Sequence, residues 1–164
     1  MKNTVLRIKA ELENVKRIYC DDDFLWAFNS KHLKSKSYLR DSVSTLTREN
    51  ITFSKTDQLA IPNSRGTANF LVKWTEYPKY STINFVNTKK SCSYDSTSNE
   101  WQDFATFECR GIEIAEFIPS GDFIIEDTQG KIYYNVNLLD LNWCDYNQDH
   151  EMCVGVYNLE HEIA

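Results

Sequence analysis

Glycine and proline are scarce in this chain of 164 residues, which has five of the first and three of the second. This composition leaves little room for flexible linkers, so the chain fits one domain or two small halves sharing a core. No stretch approaches the roughly 20 apolar residues that a membrane-spanning helix requires. The first residues alternate charged with apolar side chains, which predicts a strand and not a signal peptide.

Paired cysteines are also missing. The five cysteines (Cys20, Cys92, Cys109, Cys144 and Cys153) are odd in number, and no two of them form a C-x-x-C pair. In a chain without a secretory signal, this predicts reduced thiols and a soluble, cytoplasmic protein with no membrane association. The sequence has no G-x-G-x-x-G, P-loop, G-x-S-x-G or H-E-x-x-H motif, so we predict no enzymatic activity and no cofactor.

Aromatic residues are plentiful, with nine Phe, nine Tyr and four Trp, and such residues favour β-structure. Apolar and polar residues alternate from Phe104 to Pro119, with Phe107 and Cys109 on one face, and Gly111 interrupts the run. This pattern predicts an interior strand that bends at Gly111. About ten such segments and no convincing amphipathic helix predict an all-β fold, either a sandwich or two similar partial β-barrel halves packed together.

Charge divides the chain into two parts. Residues 1–94 carry a net charge of +7 and residues 95–164 carry −13. The polar stretch from Ser91 to Gln102 suggests two halves, residues 1–90 and 91–164, in one compact unit, and Asp140 to Glu151 is interpreted as an acidic connector. The two charged surfaces could face and neutralise each other, or the acidic half could bind a partner protein. An acidic second half argues against nucleic acid as a partner.

Six short segments spread over the whole chain carry a family resemblance: Leu12–Val15, Asp23–Trp26, Ser64–Ala68, Phe107–Glu113, Asp140–Tyr146 and Val154–Tyr157. Together they resemble the eukaryotic CXXC-motif-containing zinc-binding proteins, a family of poorly defined function. The resemblance implies two C-x-x-C pairs that would hold one structural zinc ion with four thiolates.

Carried onto this chain, the first pair of ligand positions falls at His32 and Ser35, and the second falls at Trp74 and Tyr77. Serine and tyrosine are poor zinc ligands and tryptophan is none, so we expect this member to lack the metal. We expect aromatic packing of Trp74 and Tyr77 with Leu33 or Tyr38 to hold the loops together instead. These loops, or the acidic half, would then bind another protein, the chain being a scaffold or binding module that is monomeric or weakly oligomeric.

A second hypothesis is a small-molecule or anion-binding protein, or an enzyme, with a pocket between the halves. Its candidate residues are Arg65 with Gly66 in a turn, Arg110 with Cys109 in a strand, and Trp26 and Trp143. Glycine lets a ligand approach the backbone, and arginine offers a fork for a carboxylate or phosphate. Alternatively, Arg110 forms an internal ion pair with Glu108 or Glu113, and Cys109 packs in the core.

Overall fold

The computed structural model describes residues 2–33, 47–74, 77–88, 92–95 and 98–164 of the chain. All regular secondary structure in those ranges is β-strand, which confirms the all-β prediction. None of the described residues belongs to a helix long and apolar enough to cross a membrane. In chain order, the strands of the described ranges are β1 (Lys2–Glu13), β2 (Val15–Tyr19), β3 (Trp26–His32), β4 (Thr47–Phe53), β5 (Leu59–Ala60), β6 (Thr67–Ala68), β7 (Phe70–Lys73), β8 (Tyr80–Val86), β9 (Ser93–Tyr94), β10 (Gln102–Arg110), β11 (Ile112–Phe117), β12 (Phe123–Asp127), β13 (Ile132–Val136), β14 (Trp143–Asn147) and β15 (Met152–Ile163).

These strands form three main sheets and one small hairpin. A six-stranded sheet has the order β14-β15-β1-β10-β8-β7, a three-stranded sheet the order β11-β3-β4, and a four-stranded sheet the order β13-β12-β2-β9. The long strand β1 pairs antiparallel with both β10 and β15. Each main sheet contains strands from both sides of residue 90, so the predicted division into 1–90 and 91–164 does not coincide with a division between sheets.

An aromatic core fills the space between the six-stranded and three-stranded sheets. The ring of Phe107 on β10 lies 5.2 Å from the rings of Trp26 and Phe28 on β3, and 5.8 Å from that of Phe53 on β4. All four side chains are fully buried. Burying each such ring stabilises the fold by roughly 1.5–3 kcal/mol, so this cluster is a main source of stability.

The predicted bend at Gly111 is confirmed. β10 lies in the six-stranded sheet and β11 in the three-stranded sheet, and Gly111 joins them with a φ of 72°. A Cβ atom added at this residue would lie 2.7 Å from Ser81 Oγ on β8. The chain therefore changes sheets at a residue where positive φ and close approach both favour glycine.

A buried carboxylate fixes the turn between β12 and β13. Asp127 is fully buried and accepts four hydrogen bonds, from the backbone N–H groups of Gln129 (2.8 Å) and Lys131 (3.0 Å), Tyr133 Oη (3.0 Å) and Asn147 Nδ2 (2.9 Å). Burial by itself raises the pKa of Asp127, but these hydrogen bonds outweigh it and hold the pKa below its usual value. We call Asp127 and its four donors the Asp127 network.

Ion pairs between the two halves of the chain partly neutralise their opposite charges. Arg7 on β1 pairs with Asp103 (3.2 Å) and Glu162 (3.0 Å), and Lys9 pairs with Glu160 at 3.7 Å. Further pairs of the same kind, each a cation from the first half with a carboxylate from the second, are Lys16 and Arg17 with Glu126, and Lys31 with Glu113. The two oppositely charged halves thus meet along shared sheets and partly neutralise each other.

Five of the described strands have no clear signal in the sequence, namely β2, β5, β6, β9 and β14. β2 is short, and β14 lies within the segment interpreted as an acidic connector. β14 is the edge strand of its sheet, and Cys144, Asp145 and Tyr146 within it are exposed. Its pairing with β15 makes it a strand, because one partner suffices for a polar edge strand that has no apolar face of its own.

Candidate functional site

The end of β3 lies against the Gly111 bend. His32, the last residue of β3, pairs in register with Ile112 of β11. The next residue, Leu33, donates its backbone N–H to the carbonyl oxygen of Gly111 at 3.3 Å. This bond ties the start of the loop that leaves β3 to the point where the chain passes between two sheets.

The turn that follows β7 meets the same bend from the other sheet. Trp74 is fully buried, and its indole Nε1 donates to Ser81 Oγ at 2.8 Å. The backbone N–H of Tyr77 donates back to the carbonyl oxygen of Trp74 at 3.3 Å. Because Ser81 packs against Gly111, one bend positions both loops.

His32, Trp74 and Tyr77 form a compact group that we call the aromatic cluster. The imidazole of His32 stacks on the ring of Tyr77, with centroids 4.1 Å apart and an angle of 10° between the planes. The same imidazole meets the ring of Trp74 edge to face at 5.5 Å. The guanidinium carbon of Arg48 lies 5.5 Å from the Trp74 ring. Offset stacking, edge-to-face and cation–π geometries are each favourable, so packing joins the end of β3 to the residues that follow β7.

The cluster differs in one respect from the sequence prediction. Aromatic packing across the two loops is present, but the partner of Trp74 and Tyr77 is His32, and Leu33 is 52% exposed. His32 ends a strand with its side chain inward, whereas Leu33, the next residue, alternates outward. Tyr38, the alternative partner in that prediction, and Ser35, a ligand position that the resemblance implies, lie outside the described residues.

The residues of the cluster do not fit the zinc ion that the resemblance implies. A structural zinc site needs four nitrogen, sulfur or carboxylate donors in a tetrahedron. Of the three residues, His32 alone is a common zinc ligand, and one face of its ring is covered by Tyr77. Across the described ranges, no group of three or more His, Cys, Asp or Glu side chains is placed to hold a metal ion.

A surface cavity of about 620 Å³ opens beside the aromatic cluster. Its rim combines apolar and basic side chains, with Leu33 and Tyr80 exposed at the surface. Ser81 and Gly111 form part of its wall, and its other lining residues include Tyr77, Pro78, Lys79 and Arg110. Of the residues predicted for a ligand site, Arg110 lies here, and the cavity is lined by residues of both halves.

The remaining predicted ligand residues are not brought together. Arg65 and Gly66 lie in an exposed turn closed by a hydrogen bond from Ile61 N to Gly66 O (3.1 Å). Trp26 is fully buried in the aromatic core, and Trp143 packs edge to face on Tyr133 at 5.3 Å. None of these residues lines the cavity beside the aromatic cluster.

Cys109 packs in the core and Arg110 forms an ion pair, which were the alternatives to a role in ligand binding. Cys109 is buried in the core, and burial is the main cause that raises its pKa to about 11, so the thiol is held protonated. Arg110 Nε lies 3.3 Å from Glu108 Oε1, which forms the local ion pair. A nucleophilic role would require a thiolate, and burial disfavours one at Cys109.

Comparison with known proteins gives a consistent result. The fold and the cluster define an all-β protein in which His32, Trp74 and Tyr77 pack together at the junction of two sheets. The model of the family "CXXC motif containing zinc binding protein, eukaryotic" matches residues 5–164. The chain belongs to this family, as the sequence resemblance predicts, although its own sequence contains no C-x-x-C pair.

Individual relatives share the full length of the chain. A CXXC motif containing zinc binding protein of Bos taurus is 28% identical, with 97% of this chain and 96% of the bovine protein covered. A UPF0587 protein of Schizosaccharomyces pombe is 29% identical, with coverage of 100% and 99%. The solved structure of a hypothetical protein from Plasmodium falciparum is 67% identical, covers both chains completely and has a TM-score of 0.90.

Proposed function

We propose that this protein is a non-enzymatic binding module whose partner-binding surface is the cavity beside the aromatic cluster. One observation carries the proposal: the imidazole of His32 stacks at 4.1 Å on Tyr77, at the positions where the resemblance expects thiolates. In this proposal, ring packing has replaced the structural zinc site. Beside the cluster, Leu33 after β3 and Tyr80 at the start of β8 are exposed at the surface.

The chemistry of the cavity favours an acidic partner segment that carries an apolar residue. Lys79 and Arg110 line the cavity, and Lys73 Nζ lies 6.0 Å from the ring of Tyr80 on its rim. Carboxylates of a partner would meet these cations, while a leucine or phenylalanine would cover Leu33 and Tyr80. Complementary charge of this kind speeds association and selects the partner, and apolar contact supplies much of the affinity.

The acidic second half has less support as the binding surface. Five of its carboxylates, those of Asp103, Glu113, Glu126, Glu160 and Glu162, pair with cations of the first half. Their charge is therefore partly neutralised within the molecule. Our proposal further includes a cytoplasmic location, supported by five cysteines that are all free thiols, and a monomer or weak oligomer in solution.

Peptide binding tests the partner surface. The probe is a fluorescent peptide of Asp and Glu residues around one Leu, and the control probe replaces the acidic residues with Lys. By fluorescence anisotropy, we expect the acidic probe to bind more tightly, with affinity falling as salt rises. Leu33→Ser and Tyr80→Ser should each weaken binding about tenfold, the loss typical of an apolar anchor residue.

Tyr134→Ser is the matched control, because Tyr134 is 67% exposed on β13, away from the cavity. Equal binding of the two probes, or an equal loss in Tyr134→Ser and Tyr80→Ser, would contradict the proposed surface.

Metal analysis tests the replacement of zinc separately. Untagged protein purified without chelator should contain less than about 0.1 equivalent of zinc, because four strong donors are needed to hold the ion through purification. A full equivalent would mean that His32 and distant donors build a site, and the packing proposal would then be rejected.

A further inference from the structure

Two cysteines far apart in sequence lie side by side at the junction of β2 and β9. The antiparallel register pairs Ile18 with Tyr94 and Tyr19 with Ser93, so the next residues, Cys20 and Cys92, face each other. The backbone N–H of Cys20 donates to the carbonyl oxygen of Cys92 at 3.2 Å. Directly opposed residues in antiparallel strands have Cα atoms roughly 4.5–5.5 Å apart, which is within the range that a disulfide bridges.

The surroundings of the pair distinguish its two thiols. Cys20 is partly exposed, whereas Cys92 is 8% exposed. The hydrogen bond that Cys92 receives from the Cys20 thiol lowers the pKa of Cys92, and the Lys55 ammonium lowers it further, against the opposing effect of burial. The same hydrogen bond, together with burial, raises the pKa of Cys20. Cys92 is therefore the better thiolate and Cys20 the proton-holding partner.

Lys55 is held in place near the pair. Its Nζ lies 2.6 Å from Asp22 Oδ1 and 5.0 Å from the ring centroid of Phe85. Asp22 partly offsets the effect of Lys55 on Cys92. A nearby cation of this kind is what separates a reactive cysteine from an inert buried one.

The backbone at Cys92 is also unusual. Its φ is 62°, in the left-handed region that few residues other than glycine and asparagine adopt. The conformation is kept by hydrogen bonds on both sides, since the Cys92 N–H donates to Phe104 O at 2.6 Å and the Cys92 carbonyl accepts from Cys20. Backbone strain of this kind concentrates at functional sites.

We propose that Cys20 and Cys92 are a peroxide-sensitive dithiol, in which Cys92 reacts first and Cys20 resolves the product as an intramolecular disulfide. The site is independent of the cavity and the aromatic cluster, and none of their residues takes part in it.

The chemistry needs only a peroxide as oxidant. The Cys92 thiolate attacks one peroxide oxygen, an S–O bond forms, the O–O bond breaks, and the leaving oxygen takes a proton to become water or an alcohol. The Cys20 sulfur then attacks the sulfur of the Cys92 sulfenic acid. An S–S bond forms, the S–O bond breaks, and hydroxide leaves with the Cys20 proton as water. Two thiols and one peroxide thus yield a disulfide, an alcohol or water, and one further water.

Hydrogen peroxide acting on the reduced, full-length protein tests this assignment. We expect a mass loss of about 2 Da, the two hydrogens removed by disulfide formation, and a Cys20–Cys92 peptide in non-reduced digests. The exposed Cys144 and Cys153 on β14 and β15 are internal controls. The Cys20–Cys92 disulfide should form at least about tenfold faster than either control thiol is oxidised, because a raised thiolate fraction sets the rate.

Two variants separate the roles within the pair. In Cys20→Ser, the Cys92 sulfenic acid should persist and be trapped by dimedone, whereas Lys55→Gln should slow disulfide formation severalfold. Absence of the Cys20–Cys92 disulfide in the wild-type protein, or its formation no faster than oxidation of Cys144 and Cys153, overturns the proposal. The wild-type measurement decides this even if a variant fails to fold.

Discussion

The aromatic cluster and the Asp127 network perform the same structural task by opposite means. Each joins segments from different strands, one with three packed rings and the other with one carboxylate that accepts four hydrogen bonds. The rings are stabilised mainly by apolar burial, most of which another ring of similar size would keep. The carboxylate is costly to bury and is stabilised only when every donor is in place. The cluster should therefore tolerate conservative changes that the network does not.

Removing the ring of Trp74, the largest of the cluster, should lower stability more than any other change considered. Trp74 is fully buried, and Trp74→Ala should lower the free energy of unfolding by about 3–5 kcal/mol, measured by urea denaturation. Trp74→Phe keeps a ring and loses the bond to Ser81, so it should cost only about 1 kcal/mol. Trp101→Ala, at a half-buried tryptophan, is the control. A similar loss in Trp101→Ala would contradict a special role for the cluster.

Removing one charge should break the Asp127 network even though the side chain keeps its size. Asp127→Asn places an amide NH₂ among four donors, and we expect a loss of about 2–4 kcal/mol in urea denaturation. Asp140→Asn, at an exposed aspartate, should change stability by less than about 0.5 kcal/mol. Tolerance of Asp127→Asn to within the same limit would show that the network depends on shape and not on charge.

The Gly111 bend supports the cluster. Comparing substitutions at Gly111 and Gly130 separates the cost of a positive φ from the cost of a steric contact. Gly111→Ala combines a positive φ with a Cβ 2.7 Å from Ser81 Oγ, and should cost about 2–3 kcal/mol. Gly130 has a φ of 87° but open space around it, so Gly130→Ala should cost only about 1 kcal/mol. Both losses are measured from thermal unfolding. Equal losses would mean that φ alone matters and that the contact with Ser81 does not.

Lowering the pH should weaken the Asp127 network, and we expect this to be the smallest of the four effects on stability. The pKa of Asp127 is lower in the folded state than its ordinary 3.8, so the unfolded chain binds the proton more tightly. The stabilisation is complete above pH 3.8 and is lost as pH falls through the folded pKa. Between pH 5 and 2, wild-type stability should fall more steeply than that of Asp127→Asn, as measured by urea denaturation at each pH. Parallel pH profiles would show that Asp127 is not the responsible group.

The sequence predicts the fold well where alternation is strong. The bent pair β10 and β11 is predicted because Phe107, Cys109 and Gly111 mark its faces and its bend. β14 is missed because an edge strand with exposed polar residues has no pattern of its own, and only its partner β15 defines it.

The candidate site is predictable only in part. The resemblance places His32, Trp74 and Tyr77 together, but Ser81 and Gly111, which fix the loops, carry no local signal of that role. Arg65 and Arg110 are each followed by a glycine in sequence, yet the fold separates them because Arg65 lies in the turn between β5 and β6 and Arg110 ends β10. Cys20 and Cys92 face each other because of the register between β2 and β9. This pairing joins strands far apart in sequence, and residue spacing does not predict it.

The central position of β1 has a consequence for how the protein folds. Its first residues pair with the last strand, since Val5 and Ala164 exchange backbone hydrogen bonds of 3.1 and 2.8 Å. Contacts between residues so distant in sequence slow folding, because the chain must close a long loop before they form. During synthesis, β1 leaves the ribosome well before β15 and cannot complete its pairing until β15 follows. Until then, a twelve-residue strand with the buried side chains of Leu6, Ile8 and Ala10 has an open edge, so β1 depends on β15, far away in sequence, to shield it.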